Sequence, residues 1–207
     1  RYIELSSKSF SLWTVENTTG FTDQDIVAKT ATQQFTSLAA ALNAAVDGDT
    51  VTVLQNCTMP QMELKGKNIT LDLNNHTVTA ESEFAFVLKW GKLTVKNGSV
   101  AGKDIPFAVY GSPLDNAGAD YSVLTLNGVN VTADNLAVAV FGVNFEPWNP
   151  KNTIEGAYGA VVNVNNSNLT APSGMTILGS VQGTTGNVPR FNIANSTIAA
   201  KAGIGIY

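Results

Sequence analysis

One pattern of hydrophobic and polar positions recurs five times along the chain. The repeats are LDLNNHTVTA at 71–80, LTVKNGSVAG at 93–102, LTLNGVNVTA at 124–133, VNVNNSNLTA at 162–171 and FNIANSTIAA at 191–200. Places one and three are apolar, place five is Asn or Gly, place eight is aliphatic and place ten is Gly or Ala. Apolar residues two apart predict a strand with one buried face, and Asn or Gly predicts a turn with a left-handed backbone.

Each repeat therefore predicts two short strands around a turn, and stacked repeats place equivalent residues above one another. The third places would form one buried column: Leu73, Val95, Leu126, Val164 and Ile193. The fifth places would form a stack at the turn: Asn75, Asn97, Asn166 and Asn195. A single repeat cannot bury its apolar face alone, so the pattern predicts that the repeats stack.

A further apolar segment follows each repeat and predicts a third strand. These segments are 84–90, 106–111, 136–142, 174–180 and 202–207. The pattern predicts an all-β fold, a right-handed parallel β-helix of about six to seven coils, with the hand taken from the general preference for right-handed crossovers.

The two ends of the chain differ. A short helix at 36–47 is expected to cap the coils, which start near residue 50; Thr36 or Ser37 would cap it, and Leu38, Leu42 and Ala45 or Val46 would line its buried face. Residues 1–34 do not match the repeat and are predicted to be an attachment or linker segment, followed by the β-helix domain at 35–207. The apolar pattern of a third strand extends to Ile204–Tyr207, and an uncovered last strand would expose apolar side chains and unpaired strand edges. We therefore expect a continuation of the chain or a partner copy to cover that end.

Composition and charge narrow the possible partners. Charged residues make up 14% of the chain and its net charge is −4, with no Lys/Arg cluster, which argues against nucleic acid. No apolar run reaches the roughly 20 residues of a membrane span. Cys57 is the single cysteine, so no intrachain disulfide can form, and its place after an apolar strand indicates a small core residue.

Three segments carry a resemblance to a known family. TSLAAALNAAVDGDTVTVLQNCT at 36–58, KGKNITLDLNNHTVT at 65–79 and GKLTVKNGSV at 91–100 resemble the pectin-lyase-like β-helix modules of bacterial surface proteins and phage tail spikes or fibres. The resemblance covers 35–207 and implies an extracellular location, on a bacterial surface or a virion. Because this family includes lyases, glycosidases, adhesins and virion proteins, the fold does not decide the function.

The resemblance implies two possible catalytic activities, a lyase and a glycosidase, and each requires particular residues. A lyase like those in the family needs clustered carboxylates around Ca²⁺ and a positioned Arg or Lys, yet the outward column Asp72, Thr94, Thr125, Asn163 and Asn192 has one carboxylate. The sequence therefore predicts no metal site and no cofactor. A glycosidase needs two carboxylates about 5–10 Å apart, and the candidates are loop residues: Asp115, Asp120, Glu146 and Glu155.

Binding candidates lie where the longest insertions leave the stack. The insertions at 111–121, 142–159 and 180–189 all follow a third strand and are expected to project from one corner. Aromatic residues that could stack on a sugar lie there or at the same strand end: Trp90, Tyr121, Trp148 and Tyr158. Trp148 could equally pin its own loop. The sequence favours a non-catalytic extracellular structural or adhesion module that presents loops to a glycan or protein; the alternative is a carbohydrate-active enzyme, a glycoside hydrolase or polysaccharide lyase, on the same fold.

Overall fold

The chain folds as an all-β protein with predominantly parallel strands. The computed structural model describes residues 25–111, 122–141, 160–171, 177–179, 190–201 and 204–206. One helix occurs among them, α1 (Leu38–Ala44). The strands are β1 (Ala28–Lys29), β2 (Gln34–Phe35), β3 (Thr50–Val53), β4 (Cys57–Met59), β5 (Met62–Lys65), β6 (Asn68–Asp72), β7 (Thr77–Ala80), β8 (Phe84–Lys89), β9 (Lys92–Gly102), β10 (Ile105–Tyr110), β11 (Ser122–Ala133), β12 (Val138–Phe141), β13 (Ala160–Asn165), β14 (Asn168–Ala171), β15 (Ile177–Gly179), β16 (Arg190–Ala194), β17 (Thr197–Ala200) and β18 (Ile204–Ile206).

From β3 onward the strands fall into three columns, which the chain visits in turn. The first column is β3, β6, the first half of β9, the first half of β11, β13 and β16. The second is β4, β7, the second halves of β9 and β11, β14 and β17. The third is the separate six-stranded sheet of β5, β8, β10, β12, β15 and β18. Neighbours within each column are parallel, because the chain returns to a column only after passing through the other two.

The buried column expected from the third places of the repeats is largely confirmed. Val95, Leu126, Val164 and Ile193 are consecutive partners in register. Val95, Leu126 and Val164 are fully buried, but Ile193 is 37% exposed, so the prediction that it is buried is wrong. The reason is its place on β16, because no described strand of the first column stacks on that side of β16.

The first repeat departs from the expected register. Leu71, not Leu73, pairs with Val95, so this strand is offset by two residues from the predicted alignment. Two consecutive left-handed residues cause the offset: Asn74 and Asn75 have φ values of 49° and 64°, whereas later repeats turn on one. Leu73 remains buried at this wider turn, where its N–H donates to the carbonyl of Lys96 at 2.8 Å.

The predicted turn stack is confirmed. Asn97, Asn166 and Asn195 have positive φ like Asn75, and Gly128 takes the same conformation in the third repeat. Asn suits this position because its short polar side chain tolerates the left-handed region. Backbone hydrogen bonds link the turns, among them one from the Asn75 N–H to the Asn97 carbonyl at 2.7 Å.

A helix precedes the first strand of the stack; α1 spans Leu38–Ala44, shorter than the predicted 36–47. Ser37 is the N-cap, and its hydroxyl accepts a hydrogen bond from the Ala40 N–H at 3.2 Å. Leu38 and Leu42 are buried, and Ala45 rather than Val46 completes the buried face, since Val46 is 64% exposed.

Lys67 fastens the C-terminal end of α1 to the stack. Its ammonium group donates to the carbonyls of Leu42, Asn43 and Ala45 at 2.9, 2.8 and 3.0 Å. A cation suits the C-terminal end of a helix, where the last carbonyls lack partners. Before the helix, β1 pairs antiparallel with both β2 and β3, which adds two short strands to the edge of the larger sheet.

In the third column, β8, β10 and β12 are apolar on both faces. On its inner face the rings of Phe86 and Phe107 stack with centroids 5.2 Å apart. On its outer face a second cluster of buried residues continues across the strands: Val87, Ile105, Ala108, Leu136 and Ala139. Burial on both faces explains why these strands read as unbroken apolar runs instead of alternating.

Candidate functional site

The strongest candidate site lies where the third column ends. Lys65, Lys89 and Tyr110 are register partners at the ends of β5, β8 and β10, and Trp90 directly follows Lys89. Glu63 lies two residues before Lys65, on the same face of β5. We call these five residues the Trp90 corner.

The backbone of Trp90 is held in an unusual conformation. Its φ is 55°, a left-handed value that costs a bulky residue about 1–2 kcal/mol. The Trp90 N–H donates to the hydroxyl of Ser122 at 3.0 Å, and that hydroxyl in turn donates to the Tyr110 carbonyl. We call one passage of the chain through the three columns a rung. Ser122 is fully buried, and its hydroxyl links Trp90 to Tyr110 of the next rung, which holds the strained backbone in place.

The side chain of Trp90 points to solvent beside a cation. The residue is 37% exposed, and the Lys65 ammonium lies 4.6 Å from the centroid of its ring. This is a cation–π contact, which restrains both side chains. The next rung holds a second ring and cation, because the Lys89 ammonium lies 5.4 Å from the centroid of the Tyr110 ring.

Charge at the corner is only partly compensated. Lys89 forms an ion pair with Glu63 at 2.7 Å, whereas Lys65 forms no ion pair within the described ranges. Burial raises the pKa of the Tyr110 hydroxyl above its ordinary value, and the nearby carboxylates of Glu63 and Glu83 raise it further. Tyr110 therefore stays neutral and retains its hydroxyl proton at neutral pH.

The structure places one of the four predicted aromatic residues. Trp90 lies at the end of the third column, as expected. Tyr121, Trp148 and Tyr158, and the candidate carboxylates Asp115, Asp120, Glu146 and Glu155, lie outside the described residues, so their roles remain predictions. The strand ends flanking two insertions are neighbours, because Tyr110 pairs with Phe141 and Ser122 pairs with Ala160.

Four residues of the corner were missed by sequence reasoning, namely Glu63, Lys65, Lys89 and Tyr110. The signal was available in the aligned ends of the third strands, which read MELK, FAFVLK and IPFAVY. The last residues of the three strands, Lys65, Lys89 and Tyr110, form one column of polar or amphipathic side chains beside Trp90. The first of these strands does not follow a ten-residue repeat, so the repeat alignment did not include it.

The single outward carboxylate of the first column is engaged in a local contact. Asp72 pairs with Lys96 at 3.2 Å; its register partner is Lys96 rather than Thr94, another result of the two-residue offset. Burial acts to raise the pKa of the Asp72 carboxyl, but hydrogen bonds from Asn74, Lys96 and Asn97 outweigh it, so the pKa lies below the ordinary value. Nothing in this arrangement resembles a clustered carboxylate site, and among the described residues no group of three or more His, Cys, Asp or Glu could hold a metal ion.

Cys57 is half-buried and packs against the main core, and burial raises the pKa of its thiol. A buried thiol of raised pKa is a poor nucleophile.

Within the described part of the chain, no helix has the length and apolar character that a membrane crossing requires. Compared with models of protein families, with curated proteins and with solved structures, the chain gives no match in any of the three.

Proposed function

We propose that this chain is a non-catalytic extracellular module, built as a right-handed parallel β-helix with three strands per coil, that presents a binding surface at one corner. The module resembles the pectin-lyase-like domains of bacterial surface adhesins and phage spikes or fibres. Its ligand is a glycan or a protein on a cell surface or virion. The extracellular location rests on the sequence resemblance alone.

One observation carries the proposal: parallel partners recur in register through all three columns. Val100, Val131, Leu169 and Ile198 follow one another in the second column, as Val95, Leu126 and Val164 do in the first. A stack of this kind makes a stiff rod whose regular part is uniform, so differences between rungs concentrate at the corners.

The chemistry of the corner favours binding over catalysis. Trp90 is exposed on a strained backbone that is anchored through the buried Ser122, which is the arrangement expected of a residue kept for contact with a ligand. Two carboxylates lie near Tyr110, and one of them, Glu63, is held in an ion pair with Lys89, while Glu83 is the other. Hydrolysis of a glycosidic bond by two carboxylates would need the pair to face each other across the sugar bond.

The test is a glycan array combined with analysis of the recovered glycans by mass spectrometry. We expect retention of at least one glycan class without cleavage, and loss of retention in a folded Trp90→Asn variant. Asn is chosen because it tolerates the left-handed conformation. Appearance of shortened or unsaturated products would contradict the non-catalytic proposal and favour the enzyme alternative; replacing Asp115, Asp120, Glu146 and Glu155 by their amides would then identify the acids.

A further inference from the structure

We infer that the Trp90 corner selects a saccharide that carries a negative charge, a uronic acid or a sulfated sugar, through the ammonium group of Lys65. The inference deepens the proposed function and rests on it. It starts from the one cation of the corner that is not neutralised.

Lys65 and Lys89 occupy equivalent positions on neighbouring rungs but have different surroundings. Lys89 is engaged by Glu63 at 2.7 Å. Lys65 instead lies over the indole of Trp90 at 4.6 Å, and no described residue forms an ion pair with it. An ammonium group against an aromatic face keeps most of its donors available, so it can bind an anion while the ring orients it.

The remaining groups of the corner suit a sugar better than an acidic peptide. The indole and the Tyr110 ring provide flat apolar surfaces on which a sugar ring can stack. Glu63 is a carboxylate paired with the Lys89 ammonium, and its remaining lone pairs can accept hydrogen bonds from sugar hydroxyls.

Three variants distinguish a role of Lys65 and Trp90 in ligand binding from a role in the stability of the fold. Lys65→Met keeps the apolar stem over Trp90 and removes the charge. Lys103→Met is the matched control, because Lys103 is an exposed lysine at the opposite end of the third column, about 20 Å from Tyr110 along β10. Trp90→Asn removes the ring and relieves the strained backbone, so its melting temperature should equal or exceed that of the wild type.

The probes are hexasaccharides of three kinds: a sulfated glycosaminoglycan, a polyuronate and a neutral glucan, measured by calorimetry at two salt concentrations. We expect one anionic probe to bind, with affinity falling tenfold or more in Lys65→Met and unchanged in Lys103→Met. Binding should weaken at higher salt. The comparison of sulfated and uronic probes identifies which anion is recognised.

Three outcomes count against the inference, and they are distinguishable. If the neutral glucan binds as tightly as the anionic probes and Lys65→Met has no effect, the charge inference fails while the glycan-binding proposal stands. If no probe binds, the inference fails together with the glycan-binding part of the proposed function, whereas binding of a protein ligand is unaffected by this result. A large drop in the melting temperature of Trp90→Asn would show that Trp90 serves the fold.

Discussion

Truncation of Leu126 to Ala tests the interior of the stack. Leu126 is fully buried between its register partners Val95 and Val164. Both neighbours are β-branched and short, so they cannot extend into the space that the lost atoms leave. Burial of a Leu side chain is worth about 1.5–3 kcal/mol. With the added cost of a cavity that does not collapse, we expect Leu126→Ala to lose about 3–5 kcal/mol of unfolding free energy.

Ile193→Ala is the matched control, because Ile193 belongs to the same column at β16. It is 37% exposed, and no described residue of the column stacks on its far side. Its truncation removes partly solvated atoms and leaves no closed cavity, so the expected loss is about 1–2 kcal/mol.

Urea unfolding followed by both tryptophan fluorescence and circular dichroism measures the two losses. The midpoint should fall further for Leu126→Ala than for Ile193→Ala, with an unchanged slope for each variant. Coincident curves from the two probes indicate two-state unfolding, so the unfolding free energies of the two variants can be compared. Equal losses for the two variants would refute the view that burial in a stacked column, rather than side-chain size, sets the cost.

Three further results are expected. Lys67→Met removes three hydrogen bonds from a charged donor to the end of α1, so stability should fall by about 2 kcal/mol, with faster amide exchange confined to the helix. Gly98→Ala would place a Cβ atom 2.5 Å from the Cβ of Leu73, and unfolding in urea should show a loss of about 1–3 kcal/mol or more. The lowered pKa of Asp72 means that its stabilising contribution is present above a pH of about 4 and is lost as the pH falls through the lower folded value. Lys96→Met should therefore make the loss of stability on acidification below the ordinary Asp pKa of about 4 shallower; an unchanged pH profile would contradict the assigned partner.

The repeating part of the fold could be read from the sequence because its signals are local. Apolar residues two apart and an Asn at the turn determine a strand, a bend and a second strand within ten residues, and the left-handed φ of Asn97, Asn166 and Asn195 bears this out. The Gly at the tenth place of the second repeat has an equally local cause, since a Cβ on Gly102 would lie 2.8 Å from Pro106.

The register of the first repeat could not be read, because it depends on how many residues of a turn are left-handed. In the sequence, Asn75 matches the single turn Asn of the other repeats and Asn74 looks like an ordinary polar residue before it. In the structure both residues have positive φ. The two-residue offset keeps every apolar side chain inward, so the hydrophobic pattern alone cannot distinguish the two alignments.

The candidate site was only partly predictable for a related reason. Trp90 stood out as an aromatic residue at a strand end, but its partner Lys65 lies 25 residues earlier, on a strand outside the repeat pattern. The support from Ser122 comes from the following rung. Such contacts depend on the stacking order, which no local pattern contains.

The central claim is that successive repeats stack in register, and cysteine cross-linking tests it most directly. The outward residues Thr70, Thr94, Thr125 and Asn163 are consecutive partners of the first column. In a Cys57→Ser background, pairs of cysteines at adjacent positions should form disulfides on mild oxidation, because neighbouring strands lie about 4.8 Å apart. Thr70→Cys with Thr125→Cys skips one rung, about 9.6 Å, and should stay reduced. Cross-linking of the skipped pair, or its failure in the adjacent pairs of folded protein, would contradict the stacked arrangement.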